Sequence, residues 1–267
     1  MKKVQLDDFD KVSKVLIEKL SKSLNFQKAK DIISQEAWNI LKSWKGTHEK
    51  KEVGPTIYYT FLSHTVSFLL EEKLSPKMFK DFYNTHHLYT FLENILEKEN
   101  SIWWHENKKG QTQSSILNKI WNKTLISLGD FAGKDPKKWI WEKAHTLEQI
   151  HIIGRKKPFN LIFNIGPHGI GGGYEVVDNQ KFDLSHKLPF KVRAGPSTRR
   201  LIDMNTPRKS LGINPTGQSG YFWDKHYRDQ SILHREGKYR EQIMDLEKTK
   251  KDPKTMKVVL NPRVLDY

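Results

Sequence analysis

The chain has 267 residues, enough for one large domain or two ordinary ones, so its core needs neither disulfides nor metals. With no Cys, disulfides, thiolate metal sites and a cysteine nucleophile are excluded, and 8 Trp with 13 Phe exclude a disordered chain although only 36% of residues are hydrophobic. The net charge of +15 invites a nucleic-acid reading, but 37 of the 46 basic residues are Lys, spread along the chain among acids as in Glu97-Lys98-Glu99, which argues against a nucleic-acid partner.

The opening residues, Met1 to Asp10, place basic groups before acids where a signal peptide needs an apolar run, so no export signal is expected as written. No run approaches 18 apolar residues, and no membrane span is expected. Val12, Val15, Leu16, Leu20 and Leu24 recur at helical spacing, as do Ile32, Ile33, Ala37, Ile40 and Leu41. Helices are also predicted over 56–70 and 79–96, with another over 114–128. After Gly133-Lys134-Asp135-Pro136 the pattern changes to short β-rich runs, which predicts a mainly helical subregion over 1–135 and a β-rich one over 136–267. Candidate strands are 160–164, 174–177, 190–194, 200–204, 210–213 and 257–260, and short helices are predicted over 227–235 and 238–246. Helices first and strands second make the fold class α+β.

Several local patterns mimic reactive sites. Gly217-Gln218-Ser219-Gly220 resembles a nucleophile elbow, but Tyr221 occupies the place of the last glycine, and His226 and Asp229 stand too close in sequence to complete a triad readily. A tight glycine turn bonded by Gln218 and Ser219 is the plainer expectation. The glycine-rich run from Gly166 to Gly173 has neither a P-loop ending nor the dinucleotide register, and reads as a loop between strands. Neither His86-His87 nor His145 with His151 has the spacing of a zinc helix, so no metal site is expected. Within Trp139-Ile140-Trp141-Glu142-Lys143-Ala144-His145 the aromatics around a polar ring suggest a packed, hydrogen-bonded anchor. Arg199 and Asp203 have the even spacing of one sheet face, where they would pair; alternatively Arg199 supports a site by bonding the loops that line it.

Taken in order, Leu41-Lys42-Ser43-Trp44-Lys45-Gly46, Trp139-x-Trp141-x-x-x-His145, Gly172-Gly173, Gly195-Pro196-Ser197-x-Arg199, the Gly217 to Gly220 turn and His226-Tyr227-x-Asp229-Gln230 resemble the C-terminal portion of the penicillin acylase (penicillin amidase) family of N-terminal-nucleophile hydrolases. Three positions depart from that pattern, with Lys45 where the family favours Asp, Glu142 for Gly and His234 for Trp. The resemblance implies part of an αββα sandwich and hydrolysis of the amide bond of an acylated amine, such as a β-lactam or an acyl homoserine lactone. It implies Ser197, Arg199, Gln218, Ser219, His226 and Asp229 as site-supporting residues, with no catalytic residue in this chain. In the family the nucleophile is an N-terminal Ser whose own amino group is the base, an Asn helps hold the oxyanion, and all of these, with the Ca2+ ligands, lie upstream of the resembling portion. The expectation is therefore a fragment inactive alone, with no cofactor of its own and an upstream acylase chain as partner. It would be periplasmic if completed by an exported precursor and cytoplasmic as written. A non-catalytic basic binding module, or a decayed gene product, is the alternative.

Overall fold

Helix formation in the first half follows from capped, amphipathic segments. The computed structural model describes residues 1–24, 31–83, 85, 87–104, 112–184, 187–253 and 255–260. Asp10 caps α1 (Lys11–Ser23), Asp31 caps α2 (Ile32–Ser43), and each side chain accepts two of the backbone N–H groups that a helix start leaves unpaired. After them comes α3 (Gly54–Leu70), in which every residue but Phe68 is buried. A helix apolar on all sides has to be surrounded, and α3 is the central rod against which α2 and α6 (Gln113–Ala132) pack. Two of its hydroxyls are satisfied inside the rod, with Thr60 donating to Thr56 O at 2.7 Å and Thr65 to Phe61 O at 2.8 Å.

The segment expected as one helix over 79–96 is two, α4 (Pro76–Tyr83) and α5 (His87–Leu96). Trp104 plugs the end of α5, donating its indole N–H to Ile95 O at 3.1 Å. Thr112 and Ser115 form a reciprocal capping box at the start of α6.

The chain divides into two compact units, Met1–Pro196 and Ser197–Tyr267. Helices give way to strands well before that division, after the short α7 (Trp141–Ala144). In the first unit β1 (His145–Gln149), β2 (Ile165–Gly169), β3 (Lys181–Phe182) and β4 (Phe190–Ala194) form one sheet in the order β2-β1-β4-β3. The β1–β4 pair is parallel and the other two are antiparallel. In the second unit β5 (Arg199–Leu201), β6 (Leu211–Ile213) and β7 (Arg240–Glu241) form an antiparallel three-stranded sheet, with the short helix α9 (Ser231–Arg235) between β6 and β7 and α10 (Leu246–Lys251) after β7. Helices in the first half and strands later make this an α+β chain, as its patterning predicts.

Five local expectations are corrected. The run 160–164 is not a strand: Asn160–Phe163 is a helical turn, α8, and the strand begins only at Ile165 and runs into the glycine-rich segment expected as a loop over 166–173. A short apolar run fits either state, and here Phe163 N bonds back to Phe159 O at 3.0 Å. Residues 174–177 are bends closed by one bridge between Gly173 and Asn179. β5 ends at Leu201, so Asp203 does not share a strand face with Arg199; its Oδ1 accepts from Asn205 N at 2.9 Å in a turn. Residues 240–241 pair with β6 instead of continuing a helix, and 257–260 has no strand partner among the described residues.

Asp10 carries a pH consequence for the whole first unit. It is fully buried, its Oδ1 accepts from Val12 N and Ser13 N at 2.7 and 3.0 Å, and its Oδ2 has no hydrogen-bond partner. Burial pushes its carboxyl up from 3.8 to about 6. The folded chain thus keeps a proton that the unfolded chain releases, so this contribution to stability is full below pH 3.8 and is lost as pH rises through 6. About two units corresponds to about 3 kcal/mol. Asp10→Asn keeps a capping acceptor and removes the ionisation. Its stability relative to wild type, measured by urea unfolding, should rise by about 2 kcal/mol or more between pH 4 and 6.5; a difference independent of pH would refute the assignment.

Candidate functional site

The densest polar-aromatic constellation is assembled in the first unit by α3, α7 and the loop after α2. Adjacent Tyr58 and Tyr59 project from α3, Trp141 from α7, and His145 opens β1. Trp141 stacks on His145 with ring centroids 4.4 Å apart and on Tyr59 at 5.5 Å, while Phe182 closes edge-on against Tyr59 at 4.9 Å. The indole N–H of Trp141 donates to Gly172 O at 2.9 Å.

Two buried imidazoles complete it. His48 donates Nδ1–H to Asp8 O at 2.8 Å, which leaves Nε2 to accept from the Tyr59 hydroxyl at 3.1 Å. Desolvation holds His48 neutral, with its pKa pushed down to about 4. His145 faces two carbonyls, Ile170 O at 3.2 Å from Nδ1 and Gln180 O at 3.1 Å from Nε2, and burial pushes it down to about 3. A neutral ring has one N–H, so it donates to one carbonyl at a time. Gly173 is explained by the same packing, because a Cβ there would lie 2.7 Å from His48 Cδ2. Neutral and enclosed, these histidines tie the 170–180 segment and the start of β1 to α3. The expected Trp139–His145 anchor is thus seen directly. His48, equally central, is a lone histidine that no local pattern singles out.

The residues expected to support a site all lie in the second unit, in two groups. In the first, the Arg199 guanidinium is buried and donates from Nη1 to His234 O at 2.7 Å. His234 in turn donates Nε2–H to the carbonyl of the exposed Ser197 at 2.9 Å. The histidine that departs from the family pattern is therefore 2% exposed and bonded into the sheet margin. In the second group, His226 Nδ1 meets Asp229 Oδ2 at 2.9 Å, and Arg240 Nη1 reaches the same oxygen at 3.4 Å.

Ser219 belongs to the turn that faces this pair. Its N–H donates to His226 O at 3.2 Å, its Oγ accepts from Tyr221 N at 3.1 Å, and it also bonds the Asp224 carboxylate. The hydroxyl is thereby engaged with the turn and with Asp224, which suits a structural role better than a nucleophilic one. Gln218 is exposed on the same turn.

Among the described residues no group of three or more His, Asp or Glu side chains could hold a metal ion. His86 of the His86-His87 pair lies outside the described residues. Among the described residues, no helix is long and apolar enough to cross a membrane.

A family model described as penicillin amidase matches residues 1–251. Acyl-homoserine lactone acylase QuiP of Pseudomonas fluorescens is 23% identical over 194 residues, covering 70% of this chain and 23% of that protein. The QuiP acylase of Pseudomonas aeruginosa is 22% identical over 227 residues, covering 77% of this chain and 26% of that protein. Among solved structures, the thermostable penicillin G acylase from Alcaligenes faecalis in its orthorhombic form shares the fold with a TM-score of 0.53 at 14% identity, over 97% of this chain and 48% of that one. The chain thus spans about a quarter of the length of these curated relatives.

Proposed function

The chain belongs to the penicillin amidase family, and on that premise we propose that it serves as the C-terminal portion of an amidase that hydrolyses the amide bond of an acylated amine, with an N-acyl homoserine lactone the foremost substrate class. The observation that carries this reading is the match over 1–251 set beside relatives of which the chain spans only 23% and 26%. In this reading the N-terminal Ser, whose amino group acts as base, the oxyanion-binding Asn and the family's Ca2+ ligands belong to the portion that the chain does not span.

What this chain contributes is positioning. The Trp141–His145–His48 cluster fixes loops of the first unit, while Arg199 with His234, and His226 with Asp229, hold the turns that in this reading flank the acyl pocket. A neutral, packed framework suits that task, because loops that line a pocket need rigid support more than chemistry of their own.

The purified chain should hydrolyse neither a chromogenic phenylacetyl amide nor an N-acyl homoserine lactone above the uncatalysed rate. Steady turnover that survives repurification would overturn the claim that the chemistry resides elsewhere. The DNA preceding the Met1 codon should encode a processing junction that exposes a Ser, followed by the Asn; unrelated coding sequence there would sink the assignment to a divided acylase.

A further inference from the structure

Residues 150–162 place a built apolar tip on the surface of the first unit. Ile150, Ile152, Ile153, Phe159, Leu161 and Ile162 are 59, 79, 49, 45, 82 and 46% exposed, all within this short stretch. Single exposed apolar side chains are ordinary, but a concentration of them marks an interaction surface.

The tip is held open by its base. Buried Asn164 accepts from His151 N at 3.1 Å and donates to Glu148 Oε1 at 2.9 Å and Gly154 O at 3.3 Å. His151 stacks on Phe163 at 5.2 Å. These bonds fix the turn at Ile153–Arg155 and α8 so that the apolar side chains face outward.

Charge and topology select the occupant. No acid occurs between Glu148 and Glu175, whereas Arg155, Lys156 and Lys157 stand exposed in the middle of the tip. β2 follows directly and, among the described residues, pairs with a strand on one side only, through β1. Pro167 lies within β2 and has no N–H to donate to a further strand, so the apolar patch is the feature that a partner would cover. A second copy would set like charges against each other, and the tip has neither the Trp nor the Tyr that typify a membrane-interface anchor. The solved acylase of the same fold is about twice as long as the part this chain covers.

We propose that the 150–162 tip is the surface on which the remaining portion of the acylase docks, through an apolar patch with an acidic rim. This rests on the reading given under Proposed function. The test co-expresses the chain with the polypeptide translated from the reading frame preceding the Met1 codon and measures the affinity of the purified pair by calorimetry. Ile152→Lys combined with Leu161→Lys should weaken the complex at least 100-fold, about 2.7 kcal/mol. Both positions are more than three-quarters exposed, so the fold, checked by circular dichroism, should persist. Met204→Lys, at a position 83% exposed in the second unit, should bind within threefold of wild type.

A complex unaffected by the tip substitutions overturns the docking surface and leaves the acylase reading standing. Absence of any complex, or of an acylase-like upstream frame, overturns that reading and the docking surface with it. If the tip substitutions instead abolish cosedimentation with phosphatidylglycerol vesicles while no protein complex forms, the tip is a lipid-surface anchor and the proposal is wrong.

Discussion

Trp141→Ala is expected to lower the stability of the first unit by about 4 kcal/mol, a large share of what any domain possesses. Trp141 is 0% exposed and touches His145, Tyr59 and Phe182. Truncation leaves a cavity walled by aromatic rings that cannot collapse without dragging α3, and it strips the buried Gly172 carbonyl of its donor. At about 2 kcal/mol per molar urea for a unit of this size, the unfolding midpoint should fall by about 2 M. Trp223→Ala is the internal control, since Trp223 is 73% exposed and should change stability by no more than about 0.5 kcal/mol. Equal effects from the two substitutions would show that the aromatic anchor does not hold the unit together.

Gly217→Ala should be the most damaging single-methyl change in the second unit. A Cβ at this position would lie 1.6 Å from His226 O and 2.5 Å from His226 C. Backbone cannot yield as a flexible side chain does, so the turn must open. That breaks the bonds from Gly217 N to Tyr227 O at 3.0 Å and from Ser219 N to His226 O at 3.2 Å. The expected cost is at least about 3 kcal/mol, read as lost hydrogen-exchange protection of the Gly217 and Ser219 amides. Gly220→Ala, three residues away, meets nothing within 4 Å and should leave both amides protected. If Gly217→Ala preserves that protection, the close approach of the two chain segments is not what makes Gly217 necessary.

The two positions also show why motif and mechanism came apart in this chain. Gly217-Gln218-Ser219-Gly220 reads locally as an invitation to nucleophilic chemistry, and His226 with Asp229 supplies the remaining letters. In three dimensions the glycine is there for the backbone of 226–227, and the Ser219 hydroxyl is engaged within its own turn. The aromatic anchor was legible because its elements lie within seven residues, Trp139 to His145, and one short turn suffices to stack Trp141 on His145. His48 was not, since its partners Asp8, Tyr59 and Trp141 come from three distant segments and each contact is tertiary.

By itself the sequence determined the helices of the first half, the α+β class and the family, because 3.6-residue spacing of Leu16, Leu20, Ala37 and Leu41 and a fixed order of short motifs are local properties. Only the tertiary structure decided which β-prone runs became strands. Runs 190–194 and 211–213 found partners in β1 and β5, while 174–177 and 257–260, no less apolar, found none among the described residues. A strand exists only when another segment, distant along the chain, completes its hydrogen bonds. The positions of Arg240 opposite Gly212 and of Glu241 opposite Leu211 were settled by that pairing and not by the helix-forming residues around them.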